Sequence, residues 1–175
     1  MSESQSLQRP RFFNGKLITV EDLELEQQYF REKQKRHNRS LHGFGIVSGL
    51  RVRASSGQIV VEPGLALDCE GNEIVINVRQ PIVPPAVCDS RTAYLNVRFV
   101  ENGADVVPNT GCEEPSVITE SFELAVAQEN CNSKHRHLRA RWLACGELHA
   151  LTIAKLRRGP RGWSVDRGYR PPAIK

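Results

Sequence analysis

No window of the 175-residue chain approaches the roughly twenty uninterrupted apolar residues that a membrane-spanning helix requires, and residues 1–10 carry no apolar signal run. The expectation is a cytoplasmic protein without direct membrane insertion. Cysteine is sparse: Cys69, Cys88, Cys112, Cys131 and Cys145 make an odd count with no C-x-x-C pair, which argues against a disulfide framework and against tight zinc spacings. Aromatic residues are only 6% of the chain, thin for stacking on bases, so nucleic acid is not expected as a partner despite a net charge of +4.

Signatures of catalysis and of cofactor binding are missing as well. The chain has no G-x-S-x-G, no H-E-x-x-H and no G-x-x-x-x-G-K-[ST]. Gly43, Gly45 and Gly49 suggest a dinucleotide loop, but Ser48 stands where the third glycine of G-x-G-x-x-G belongs, and the order is helix then strand. No cofactor is expected. Carboxylates pair at Glu113 with Glu114, Asp68 with Glu70, and Glu120 with Glu123, yet none has a pocket-forming aromatic or glycine signature beside it. Asp68 to Asn72 is better read as a hairpin turn in which Asx side chains bond their own backbone. No catalytic residue is assigned. The metal candidates are Cys112, Cys131, His135 and His137, whose thiolates and imidazoles suit tetrahedral zinc. Their spacing is not that of a usual zinc motif, and they read as two loop cysteines beside a solvated basic run, so no metal is expected.

What the chain does have begins with a capped helix. Thr19 precedes it, Asp22 stands at the capping-box position, Glu21, Asp22, Glu24 and Glu26 gather at the positive end of the dipole, and Arg31, Lys33, Lys35 and Arg36 at the other. This predicts a helix over 19–38. Its apolar stripe (Leu23, Tyr29, Phe30, then His37 and Leu41) is narrow, with Gln27 and Gln34 in the intermediate places. A helix so patterned either lies on its own sheet or packs in a subunit interface. Phe12 and Phe13 form an aromatic anchor on the polar lead-in.

The remainder reads as short strands, at 58–61, 65–68, 74–78, 93–100, 117–127, 141–148, 151–156 and 163–165, with a further strand entered through the glycines of 41–52. Turn chemistry separates them at 55–57, 63–64, 70–72, 101–103 and 159–160, with long loops at 105–115 and 128–138. The alternation of Leu95, Val97 and Phe99 with polar neighbours, and of Phe122, Leu124 and Val126, means antiparallel sheet with one wet face. The expected fold is mainly β with one N-terminal helix, an antiparallel sandwich or barrel-like arrangement. Its parts are a lead-in at 1–18, a helical segment at 19–40, a first β region at 41–80, a proline-rich connector at 81–90, and a second β region at 91–175 with a basic tail, all in one compact unit. From Lys134 onward eleven Lys and Arg face two acids, Glu147 and Asp166, which leaves the rest of the chain acidic. Such a split suits subunit-to-subunit docking.

The segment RFFNGKLITVEDLELEQQYFREKQKRHNRSLHGFGIVSGLRV followed by IVVEPGLALDCEGNEIVI resembles components of phage-tail-like contractile injection systems. It is similar in its order of parts to the N-terminal region of the type VI secretion baseplate trimer subunit and to the shoulder domain of phage receptor-binding proteins. Gly15, Gln27, Gln28, Phe44, Gly45, Pro63, Gly64, Asp68 and Gly71 fill the places of that pattern, which covers residues 10–78. The resemblance implies a structural adaptor or baseplate-associated protein, a homotrimer that docks onto tail, baseplate, fibre or cap proteins, with Phe12, Phe13, Leu23, Tyr29, Phe30 and Phe44 in interfaces. Two other functions stay open: a carbohydrate- or surface-binding β-sandwich using Trp142, Trp163 and Tyr169, and a zinc enzyme using the Cys/His loop.

Overall fold

In a computed structural model, residues 6–55, 57–83, 91–106, 115–132, 150–160 and 162–174 are described. Helix α1 spans Val20–His37. Its start is the expected capping box: the Asp22 amide donates to Thr19 Oγ1 and the Thr19 amide donates to Asp22 Oδ2, each at 3.4 Å. Lys16 Nζ donates to the same carboxylate at 2.6 Å and, with the other hydrogen bonds there, holds Asp22 below the usual aspartate range. At its other end α1 widens into a π-helical turn, Asn38–His42, closed by the Gly43 amide on the Asn38 carbonyl at 3.0 Å. The helical path therefore runs four residues past Asn38.

The strands are β1 Gly45–Gly49, β2 Val52–Ser55, β3 Gln58–Val61, β4 Gly64–Leu67, β5 Glu73–Ile76, β6 Gln80–Ile82, β7 Thr92–Val106, β8 Pro115–Ala127, β9 Leu151–Gly159 and β10 Gly162–Val165. They form three antiparallel sheets, ordered β1-β4-β5, β2-β3-β6 and β10-β9-β7-β8, the last curving as a half-barrel. The fold is mainly antiparallel β with one N-terminal helix. β1–β2 and β3–β4 are the two arms of one long hairpin that bends at Leu50 and Pro63 to pass between sheets. There the Leu50 amide donates to the Pro63 carbonyl at 3.1 Å, and the Glu62 amide to the Arg51 carbonyl at 2.9 Å. Leu50 takes a φ of +51°, unusual for a non-glycine, and is buried at the corner.

One core joins both β regions. Leu50, Ile59, Val61, Ala66, Ile74 and Ile76 from the first pack with Ala93, Leu95, Val97, Phe99, Leu151, Ile153 and Leu156 from the second. Each region offers one apolar face per strand, and together they exclude water. Three expectations need correction or extension. The sequence 101–103 is not a turn: β7 continues through it to Val106, with Asn102 opposite Thr119 and Gly103 opposite Ile118. Residues 105 and 106, expected in a long loop, accordingly belong to β7, and 107–114 lie outside the described residues. Pro81, read as the start of a connector, lies in β6, an edge strand beside β3, where proline's missing N–H is tolerated. The strand expected at 141–148 lies outside the described residues.

Candidate docking surface

The helix is fastened to the sheets at its C-terminal end. Asn38 and Arg39 are buried, and both reach the β4–β5 hairpin: Asn38 Nδ2 donates to the Gly71 carbonyl at 2.9 Å, and Arg39 Nη1 to the Glu70 carbonyl at 2.6 Å. Asn38 Oδ1 accepts from Gln34 Nε2 at 3.3 Å. Backbone meets backbone here, since a Cβ on Gly71 would lie 2.2 Å from the Lys35 carbonyl oxygen. The hairpin is shaped from within by Asp68. Its Oδ1 accepts from the amides of Glu70 and Asn72 at 2.9 and 2.8 Å, and its Oδ2 from Asn72 Nδ2 at 2.8 Å. Burial nevertheless pushes the Asp68 carboxyl above the ordinary aspartate value, outweighing the hydrogen bonds that lower it. The carboxylate that sequence offered as a possible acid or base is thus consumed in building the turn.

Among the described residues, side-chain ties from the helix to the sheets are that clamp and an ion pair from Arg31 to Glu101 (2.6 Å), and none of the residues of α1 is buried. Phe13 is 64% exposed, Leu23 50% and Phe30 59%, and Leu17, Ile18 and Val20 add to the same apolar skin. Val20, Leu23, Gln27, Phe30 and Gln34 follow a three-four spacing along the helix, and all are exposed. That spacing places them along one face of the helix. The lead-in covers a different side: residues 6–8 form a groove with Leu25, Gln28, Tyr29 and Glu32, and residues 9–12 with Glu26, Tyr29 and Phe30. Tyr29 is half-buried between them, its ring edge-on to Phe30 at 5.3 Å. Of the six expected interface residues, Phe12, Phe13, Leu23 and Phe30 are exposed near or on α1. Phe44 is half-buried against the core.

Sequence reasoning missed the Asn38 and Arg39 clamp and the apolar contribution of Leu17 and Ile18. It also missed a bracket of polar side chains under the half-barrel. There Asn132 behaves like a strand, its Oδ1 accepting from the Thr152 amide at 2.9 Å and its Nδ2 donating to the Thr152 carbonyl at 2.8 Å. The Thr152 hydroxyl donates to Asn96 Oδ1 at 2.6 Å and accepts from the Cys131 amide at 2.9 Å. Asn132 Nδ2 also donates to the Tyr169 hydroxyl at 3.0 Å, and burial raises that phenol above its ordinary pKa. These groups satisfy one another, which is what a structural network requires.

Cys112, His135 and His137 lie outside the described residues, and among the described residues no group of three or more His, Cys, Asp or Glu could hold a metal. Trp163 packs on the core, Tyr169 is tied to Asn132 and edge-on to Tyr94, and Trp142 lies outside the described residues. Among the described residues no helix is long and apolar enough to cross a membrane.

No family model matches the chain, and no curated protein matches it. Solved structures do. A chain of the type VI secretion TssK-TssF-TssG baseplate subcomplex, solved by cryo-electron microscopy, superposes with a TM-score of 0.58 at 14% identity over 96% of this chain. The fold is similar to that of type VI secretion baseplate proteins. A chain of the type VI baseplate complex gives 0.55 at 16% identity, and crystalline TssK 0.56 at 11%, each again over 96% of this chain. The chain spans 62%, 60% and 42% of the lengths of these three matched chains. At such identities the likeness to the TssK-containing structures is one of fold.

Proposed function

We propose that the chain is a structural, non-catalytic part of a phage-tail-like contractile injection assembly, a baseplate-associated adaptor that works by docking onto copies of itself, as a trimer, and onto neighbouring tail, fibre or cap proteins. The particle would assemble in the cytoplasm. The observation that carries this reading is the unpartnered apolar skin of the lead-in and α1, held rigidly by its clamp to the β4–β5 hairpin. A soluble monomer rarely leaves so many large apolar side chains together in water. The baseplate-like fold supports the same conclusion. Light scattering on wild type and on a Leu23→Asp, Phe30→Asp variant tests it. Wild type should have the mass of several chains, and the variant a lower mass with an unchanged sheet unfolding transition. Equal masses for the two would remove α1 from the interface.

A further inference from the structure

The turn that ends α1 brings two imidazoles together, on residues that neither the clamp nor the apolar skin uses. In an α-helix, residues five apart point about 140° away from one another, since each residue turns the chain by about 100°. His37 and His42 stand five apart, yet their rings meet edge-on with centroids 5.5 Å apart. The π-helical turn Asn38–His42 makes the difference. Its closing bond, from the Gly43 amide to the Asn38 carbonyl, reaches back five residues instead of four, and the wider turn returns position 42 to the side of position 37. Such turns at α-helices recur at functional sites.

The backbone between the two histidines is already fixed. Asn38 and Arg39 are buried and bonded to the carbonyls of Gly71 and Glu70, while His37 and His42 are exposed. No hydrogen bond or ion pair engages either imidazole, so neither ring is committed to another partner. Their separation is that of two imidazoles on one metal ion. An imidazole nitrogen binds zinc at about 2.0–2.1 Å and the ring centroid lies about 1.1 Å behind that nitrogen, which puts the metal about 3.2 Å from each centroid. At a tetrahedral angle two such centroids stand about 5.2 Å apart. The observed 5.5 Å therefore asks for a shift of about 0.3 Å from two exposed side chains. The last carbonyls of a helix carry partial negative charge, which favours a cation at this end and partly offsets the nearby Arg36 and Arg39.

We propose that His37 and His42 form a two-histidine site for a divalent metal ion of the zinc class. Imidazole selects such ions over magnesium and calcium, which take oxygen ligands. Among the described residues no third His, Cys, Asp or Glu joins the pair, so the remaining coordination positions are open to water. A bound ion would link the first and last side chains of the turn, and with them the ends of the segment that clamps α1 to the β4–β5 hairpin. The site stands on the geometry of the turn and is independent of the reading of the chain as an assembly part.

Zinc chloride added to the full chain tests this, read by amide hydrogen exchange and titration calorimetry, with His37→Phe and His42→Phe as variants. Phenylalanine keeps a ring at each position, and so the ring contact, but offers the metal no nitrogen. An ion that bridges the turn must be released when the turn opens. With free zinc at about ten times its dissociation constant, the amides of 38–43 in wild type should exchange about tenfold more slowly, while those of β7 and β9 stay constant. In either variant the slowing should vanish at the same zinc concentration, and this binding event should weaken at least about tenfold, since losing even a group that supports a metal ligand costs about that much. Magnesium chloride should leave the wild-type amides unchanged. Zinc that binds without slowing the 38–43 amides would place the ion elsewhere on the chain and overturn the site. Equal slowing in wild type and both variants, or no zinc binding at all, would overturn it as well, and each of these results leaves the assembly reading standing.

Discussion

Replacing Gly71 with alanine should loosen the whole helix from the sheets. Gly71 has a φ of +91°, and its missing Cβ leaves room for the Lys35 carbonyl oxygen, which would lie 2.2 Å from that carbon. The left-handed conformation costs an L-residue about 1–2 kcal/mol, and relieving the overlap by moving backbone costs about 1–3 kcal/mol more. Any such movement also stretches the hydrogen bonds from Asn38 to Gly71 and from Arg39 to Glu70, at about 1 kcal/mol or more each. The strain and overlap together cost about 2–5 kcal/mol, and with the stretched hydrogen bonds the clamp should lose more than about 3 kcal/mol. Gly57→Ala is the control: its φ is +78°, but nothing lies within 4 Å of the added carbon, so only the conformational cost applies. Amide hydrogen exchange resolves the two. In Gly71→Ala the amides of α1 should exchange faster by at least a hundredfold, while core strands β7 and β9 keep their protection; a 3 kcal/mol loss corresponds to about that factor. If Gly71→Ala and Gly57→Ala protect α1 equally, the backbone contact at Lys35 does not hold the helix.

Other substitutions probe other parts. The folded chain binds the Asp68 proton more readily than the unfolded chain does. The stability this group contributes is therefore full below the ordinary aspartate value of about 4 and is lost as pH rises through the raised folded value. Relative to Asp68→Asn, wild type should gain stability on acidification across that window, and parallel pH–stability curves from denaturant unfolding would refute the assignment. Asn132→Ala leaves the Thr152 amide and carbonyl without the side chain that mimics a strand, and should cost about 2–3 kcal/mol in urea unfolding. A change below about 0.5 kcal/mol, the level of an ordinary surface substitution, would show that the bracket is dispensable.

Much of this architecture was legible wherever a local rule and the tertiary fold agree. Thr19, Asp22 and the charge order of α1 announce a helix because capping and dipole act within one turn. Asp68 to Asn72 announces a hairpin because an Asx side chain bonds its own backbone. The alternation in 93–100 and 121–126 gave the central strand pair for the same reason. Legibility ended where the partner was backbone. Asn38 and Arg39 read as a polar helix end, yet they are buried because the carbonyls of Glu70 and Gly71 wait for them, and a carbonyl leaves no mark in a sequence. Residues 101–103 carry turn chemistry, but the register set by Leu95, Val97 and Phe99 against Phe122, Leu124 and Val126 carries the ladder through them. Pro81 marks an edge, and edge and connector use the same residue. The exposed aromatic positions on the lead-in and helix stood out in the sequence, whereas the exposure of Leu17 and Ile18 and the core-facing placement of Phe44 depend on how the chain lies in the fold.

The central claim is that other protein chains cover the apolar skin of residues 12–30. Hydrogen exchange of the wild-type chain, measured across a hundredfold range of protein concentration alongside its sedimentation mass, tests it most directly. The account predicts that amides of this segment gain protection together with the rise in mass, while those of β7 and β9 stay constant. Unchanged exchange of the segment in a species that keeps the mass of one chain throughout would contradict it.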